Sequence, residues 1–329
     1  MAYGKLRVPG FSNYGSFLSL LALTLYVLVY VDDIVITGSS SDEINFFVQQ
    51  LHNEFALKDM GELHYFLGIE VSRSSSGSLH LSQRKYIREL LTRSSMANAK
   101  GVHTPMVSSS VLSKSEGEPL ADPTEYRSLA GALQYVVLTR PDIAYAINRV
   151  CQFMHAPTSS HMVALKRILR YLCGTLSHGL VFRPSDRLSL VGYADANWGL
   201  DFDDRRSTTG YCVYFGHTPI SWCSKKQTVV SRSMAEAEYR SLAAATSDVT
   251  WLVSLLAELK VNSVDLPTVW CDNSSAVAVA ANPVASGDLV VGEVLACDQV
   301  ADILTKPLSA SLFSRFRSLL RVLPLEEAG

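Results

Sequence analysis

Between Leu188 and Leu308, four acidic residues each fall at the end of a strand pattern or near a helix start, and this spacing constrains the fold most. Leu188 to Asp195 (LSLVGYAD) reads as a strand ending in Asp195, and Thr268 to Asp272 (TVWCD) as a second strand ending in an acid. Asn273 and Ser274 follow at once as a helix-capping pair. Two further strands, Gly210 to Gly216 and Pro219 to Cys223, are split by Gly216 and His217 and precede a long helix. The order β-β-β-α-β-α suits an α/β (α+β) fold with a mixed sheet and flanking helices. Carboxylates gathered at strand ends and helix starts can hold two divalent cations for phosphodiester chemistry.

The long helix offers two glutamates, and periodicity separates them. Ser233-Met-Ala-Glu236 forms a capping box, so Glu236 is expected to reach back to the helix N-terminus. Its helical neighbours Arg240, Ser247 and Thr250 are polar and place it on the outer face. Glu238 instead shares a stripe with Leu242, Ala245, Val249, Leu252 and Leu256 that faces the core. A carboxylate there needs a partner, and a metal ion is a suitable one. The fourth acid, Asp302, lies one turn into a short helix begun near Asp298 and stopped by Pro307. Any one of these acids alone would read as surface charge; all four at element ends favour a metal-site scaffold.

The segments YADANWG, RRSTTGY, ISWCSKKQ, AEAEYRSL, WCDN and QVADILTKPL resemble the ribonuclease H domain of copia-type retrotransposon Pol polyproteins. The resemblance implies a ribonuclease H-like domain whose metal-binding, catalytic acids match Asp195, Glu238, Asp272 and Asp302. It further implies hydrolysis of the RNA strand of an RNA–DNA hybrid with two Mg²⁺ ions, Mn²⁺ being the alternative.

The 329-residue chain is 48% hydrophobic and 18% charged, enough for two or three folded units. A net charge of −2 gives no global basic signature, so any nucleic-acid binding must rest on local patches. Six scattered cysteines, without metal-ligand spacing, read as reduced thiols of an intracellular protein, cytoplasmic or nuclear. Leu18 to Val31 is strongly apolar and follows Lys5 and Arg7. It is shorter than a membrane span, lacks a small-residue cleavage pattern and is broken by Asp32-Asp33, which argues against a membrane partner. A β-hairpin, Thr24 to Val31 and Ile34 to Thr37 with the acids at its turn, accounts for the run better.

Tyr30-Val31-Asp32-Asp33 resembles the reverse-transcriptase palm signature, in which the paired aspartates bind catalytic metals beside a third aspartate on an earlier strand. LKDMGELHYFLGIEV (Leu57 to Val71) and LSQRKYIRELL (Leu81 to Leu91) resemble primer-contacting and thumb segments of the same family. Residues 1–31 contain no Asp or Glu, so polymerisation by this chain alone is not expected. The reading is therefore a partial palm and thumb over 1–103, a helical connection over 104–185, a ribonuclease H-like domain over 186–310 and a tail over 311–329.

In the connection, His161 to Leu172 places Lys166, Arg167 and Arg170 on one side of a helix, either touching a phosphate backbone or simply solvated. Arg205, Arg206, Lys225 and Lys226 are loop cations near the predicted carboxylates and could steer a hybrid's phosphates. Trp198, Trp222 and Trp270 read as core residues, and His217 as an exposed turn residue. After Asn282-Pro283-Val284 the chain lacks a basic, His-containing segment usual in the family, and a misregistered strand there would keep Asp302 from the site. Two functions follow: a metal-dependent hybrid nuclease, which an intact Pol polyprotein could partner, or an inactive remnant that binds nucleic acid weakly.

Overall fold

The computed structural model describes residues 2–7, 25–108, 112–261, 263–280, 287 and 289–325. The chain forms two compact units, Met1–Val71 and Ser72–Gly329. In the first, strands β1 (Ala2–Arg7), β2 (Leu25–Tyr30) and β3 (Asp33–Gly38) are followed by helix α1 (Ser41–Glu54) and strand β4 (Lys58–Glu62). The sheet order is β2-β3-β1-β4. Leu25, Val27, Ile34 and Ile36 alternate inward along the β2–β3 hairpin and pack with Ile44 of α1. The predicted hairpin is present, with Tyr30 paired to Asp33. Only Val31 and Asp32 form its turn, however, because Asp33 already belongs to β3. Val31 sits at φ 51, a left-handed position that a β-branched residue adopts under strain. The apolar residues from Leu18 to Thr24 lie outside the described residues. A short hairpin of β5 (Tyr65–Phe66) and β6 (Ile69–Arg73) follows.

The second unit begins with β7 (Leu79–Ser82) and α2 (Arg84–Arg93), then helices α3 (Thr124–Val136), α4 (Ala144–Cys151) and α5 (Ser159–Gly174). Apolar residues at helical spacing build its core: Tyr126, Leu129, Leu133 and Val136 of α3 meet Leu165, Ile168, Leu169 and Leu172 of α5. Strand β8 (His178–Phe182) leads to the sheet that carries the acids. Its strands are β9 (Leu190–Asn197), β10 (Thr208–Phe215), β11 (Thr218–Lys226), β12 (Thr268–Cys271) and β13 (Val290–Glu293), with α6 (Met234–Glu258) and α7 (Ser274–Ala280) between β11 and β13. The order is β11-β10-β9-β12-β13. The first three strands are antiparallel, while β12 runs parallel to β9 and β13 parallel to β12. This is the mixed sheet with flanking helices expected from the sequence. It is α/β in class.

One sheet face buries Leu190, Ala194, Val213 and Val269 against Leu242, Ala245, Val249 and Leu252 of α6. The other face, through Cys212 and Tyr214, joins the core of α3, α4 and α5. That core also receives Phe313 and Phe316 of α8 (Ala310–Leu319) and Val322 of β14 (Val322–Pro324). The segment read as a tail thus supplies a helix and a strand, β14 pairing with β8. Trp198 departs from its expected core position: it is 45% exposed, with its indole nitrogen donating to the Ser231 carbonyl. Trp222 is half-buried and packs on the larger core, and His217 is exposed in the β10–β11 turn. Among the described residues, no helix is long and apolar enough to cross a membrane.

Candidate metal centre

Strand alternation sets the first ligand. Ala194 faces α6, so its neighbour Asp195 points to the opposite side, where it pairs in register with Gly210 of β10. A short 3₁₀ segment, Val300–Leu304, crosses the sheet there and brings Asp302 beside Asp195. Gly210 permits the crossing, since a β-carbon at that position would collide with Thr305 Cγ2 and fall 2.9 Å from Leu304 Cβ. A Gly210→Ala substitution is therefore expected to cost about 2 kcal/mol of stability and to weaken any divalent-cation binding by the acids beside it. Chemical denaturation and a Mn²⁺ titration of the variant check this, and unchanged values in both would refute the role given to the glycine.

Glu238 arrives from the α6 face. Ser233 caps α6 by accepting from the Glu236 amide, Glu236 accepts from the Arg232 amide and pairs with Arg240, and Glu238 is turned inward. Ser241, one turn on, donates to the Asp195 carbonyl at 2.7 Å and locks the helix to the strand. The Ala196 amide donates to Glu238 Oε2 at 3.0 Å. Asp272 lies just past β12, and Asn273 beside it caps α7 by accepting from the Ala276 amide. Strand β13 takes up its register on β12 without the usual intervening segment, so Asp302 does reach the other acids. Asp288 lies outside the described residues.

The four carboxylates fall into two groups that share Asp272. Oxygens of Asp195, Asp272 and Asp302 lie within 4.8 Å of one another, as do ligand atoms of Glu238, Cys271 and Asp272. Ligands on opposite sides of one divalent ion stand about 4–5 Å apart, so each group has the span of a single cation. The electrostatics agree. Burial first, then the charges of Asp195 and Asp272, push Glu238 up to about 9. Burial and the Asp195 charge raise Asp302 to about 7. Asp195, 2% exposed, is also raised by burial, against the opposing pull of Lys306 and a Thr305 hydroxyl that donates to its Oδ2. One lysine ammonium does not balance such a set of acids, and a divalent cation would supply the remaining positive charge.

Five neighbours escaped the sequence reading. Gln299 donates to the Ala194 carbonyl, Asn197 donates to the Thr305 carbonyl, and both tie the 3₁₀ segment to β9. Thr305 and Ser241 hold Asp195 as described. Lys306 Nζ stands 2.7 Å from Asp302 Oδ1 and 3.8 Å from Asp195 Oδ2. Only Lys306 had a legible signal, its spacing of four from Asp302.

The expected nucleic-acid cations have separate fates. Arg205, Arg206 and Lys225 are exposed. Lys226 is half-buried and paired with Asp201 and Asp204, and Asp201 also holds Arg149 of α4. Arg167 donates to Thr104 Oγ1 and Arg170 to the Lys100 carbonyl, leaving Lys166 as the exposed cation of that trio. In the first unit, Asp32 lies in the β2–β3 turn and Asp33 opens β3, and among its described residues they join no group of three metal-capable side chains.

Residues 16–108 match the family model described as reverse transcriptase (RNA-dependent DNA polymerase). The Retrovirus-related Pol polyprotein from transposon RE1 of Arabidopsis thaliana is 49% identical over 337 residues, 95% of this chain and 23% of that protein. An uncharacterized mitochondrial protein of the same plant is 45% identical over 227 residues, 69% of this chain and 94% of that protein. A crystal structure of LC11-RNase H1 in complex with an RNA/DNA hybrid aligns with a TM-score of 0.28 and 14% identity over 36% of this chain and 94% of that one. The chain thus spans about a quarter of the length of the Pol polyprotein from RE1.

Proposed function

Because this chain belongs to the copia-type retrotransposon Pol polyproteins, we propose that its second unit hydrolyses the RNA strand of an RNA–DNA hybrid, with divalent cations held by Asp195, Glu238, Asp272 and Asp302. The observation that carries this reading is the gathering of four carboxylates, with the Cys271 thiol beside Glu238, into two cation-sized groups about Asp272. The hard carboxylate oxygens suit Mg²⁺, with Mn²⁺ as a substitute, while burial pushes the Cys271 thiol up to about 12 and keeps it protonated; two such ions would activate a water and neutralise charge on the leaving oxygen.

The chain's own residues do the positioning. Thr305 and the Ala196 amide fix the orientation of the Asp195 and Glu238 carboxylates. Buried hydrogen bonds from Ser241 and Gln299 hold the two flanking elements to β9, so the acids are set before substrate arrives. Arg205 and Arg206, exposed in the loop before β10, and Lys225, exposed near the end of β11, would meet phosphates of the hybrid. The proposed partners are the hybrid and an intact Pol polyprotein, in the cytoplasm or nucleus.

The test is cleavage of a hybrid labelled on its RNA strand, with Mg²⁺ and with EDTA. RNA cleavage in Mg²⁺ alone, with double-stranded DNA left intact, is the expected result. Hybrid binding without cleavage would identify an inactive remnant instead.

A further inference from the structure

We propose that Lys306 is a built-in counter-cation: its ammonium occupies the Asp195–Asp302 side of the centre when metal is absent and must swing out before a second ion enters. This rests on the nuclease reading of the same site and adds an order of loading to it. Three observations carry the inference. Lys306 Nζ lies 2.7 Å from Asp302 Oδ1 and 3.8 Å from Asp195 Oδ2, the contact shell that a cation on those oxygens would claim. An ammonium and a divalent ion cannot share that shell, because each would lie within a few ångströms of the other's charge. No comparable ammonium or guanidinium pairs with Glu238 or Asp272 among the described residues, so that side is open to the first ion.

The third observation is room to move. Lys306 is 36% exposed and lines a cleft of about 310 Å³ with Asn197, Asp201 and Thr208. Its flexible stem can carry the ammonium into that cleft while Pro307 holds the backbone behind it. Lys306 is thus a positioning residue. It keeps Asp195 and Asp302 together without metal and sets the threshold for the second ion.

Two measurements test this on the full chain. In calorimetric Mn²⁺ titrations, Lys306→Met should take up its second ion about tenfold more tightly than wild type, while Lys306→Arg stays near wild type. The metal-free Lys306→Met protein should also melt at a lower temperature, with the gap closing in saturating Mn²⁺. In the wild type, amine acetylation read by mass spectrometry should rise several-fold at Lys306 on adding Mn²⁺, relative to other lysines. Identical isotherms for Lys306→Met and wild type, or labelling of Lys306 that does not rise with Mn²⁺, overturn the proposal and leave the metal site standing. If no protein binds Mn²⁺, the nuclease reading falls with it.

Discussion

Replacing Glu238 by glutamine is expected to lower Mg²⁺-dependent hybrid cleavage by about a thousandfold or more, while the same change at Glu236 leaves cleavage intact. The two residues are neighbours in sequence and opposites in space. Glu236 closes the helix cap and pairs with Arg240 in solvent, whereas Glu238 is 4% exposed among the acids of the centre. Loss of a metal ligand removes several kcal/mol of transition-state stabilisation, which at 1.36 kcal/mol per tenfold gives roughly that loss of rate. Glutamine can still accept the Ala196 amide hydrogen bond, so the fold is kept. It also removes a charge that the metal-free site tolerates poorly. The variant should therefore melt above the wild type in EDTA at pH 8. Cleavage kinetics and melting curves for both variants decide the matter; an active Glu238→Gln protein would end the assignment of this residue as a ligand.

The second large effect concerns pH and metal together. Glu238 is raised from an ordinary 4.5 to about 9 and Asp302 to about 7, in both cases chiefly by burial. An acid whose folded value is raised binds its proton more tightly in the folded chain. That part of the stability is fully present below the unfolded values and is lost as the pH climbs through 7 toward 9. Lys306, whose ammonium is held above its usual value by Asp195 and Asp302 despite burial, stays charged over this range and offsets part of the loss. The metal-free protein should melt roughly 5–10 °C lower at pH 9 than at pH 5. Saturating Mg²⁺ should restore most of that difference at pH 9 and do little at pH 5, where protons already neutralise the acids. Scanning fluorimetry at the two pH values, with Mg²⁺ or EDTA, reads both effects. A melting temperature independent of pH, or an equal Mg²⁺ shift at both values, would show that these acids do not share a buried centre.

Much of the centre was legible because it follows local periodicity. The choice of Glu238 over Glu236 needs only a 3.6-residue repeat and a capping rule, and the inward stripe through Leu242, Ala245, Val249 and Leu252 is as expected. Strand ends at Asp195 and Asp272 were found within two residues, since alternating apolar residues mark where β9 and β12 run. Other features were hidden because their cause lies far away in sequence. Nothing local tells that Lys226 will be held by Asp201 and Asp204, so it read as a free phosphate-steering cation. Trp198 looked like core from its apolar ring, yet the loop after β9 leaves the ring in solvent and satisfies only its nitrogen.

By itself the amino-acid order determined the strands and the helix that carry the acids, the α/β class and which acids are inward, since these depend on side-chain periods of two and 3.6 residues. Tertiary structure alone decided that the 3₁₀ segment would lie across β9 and β10, where the bare backbone of Gly210 lets Thr305 and Lys306 reach Asp195. Residues more than 100 positions apart meet there through packing and charge, and no local pattern records that meeting.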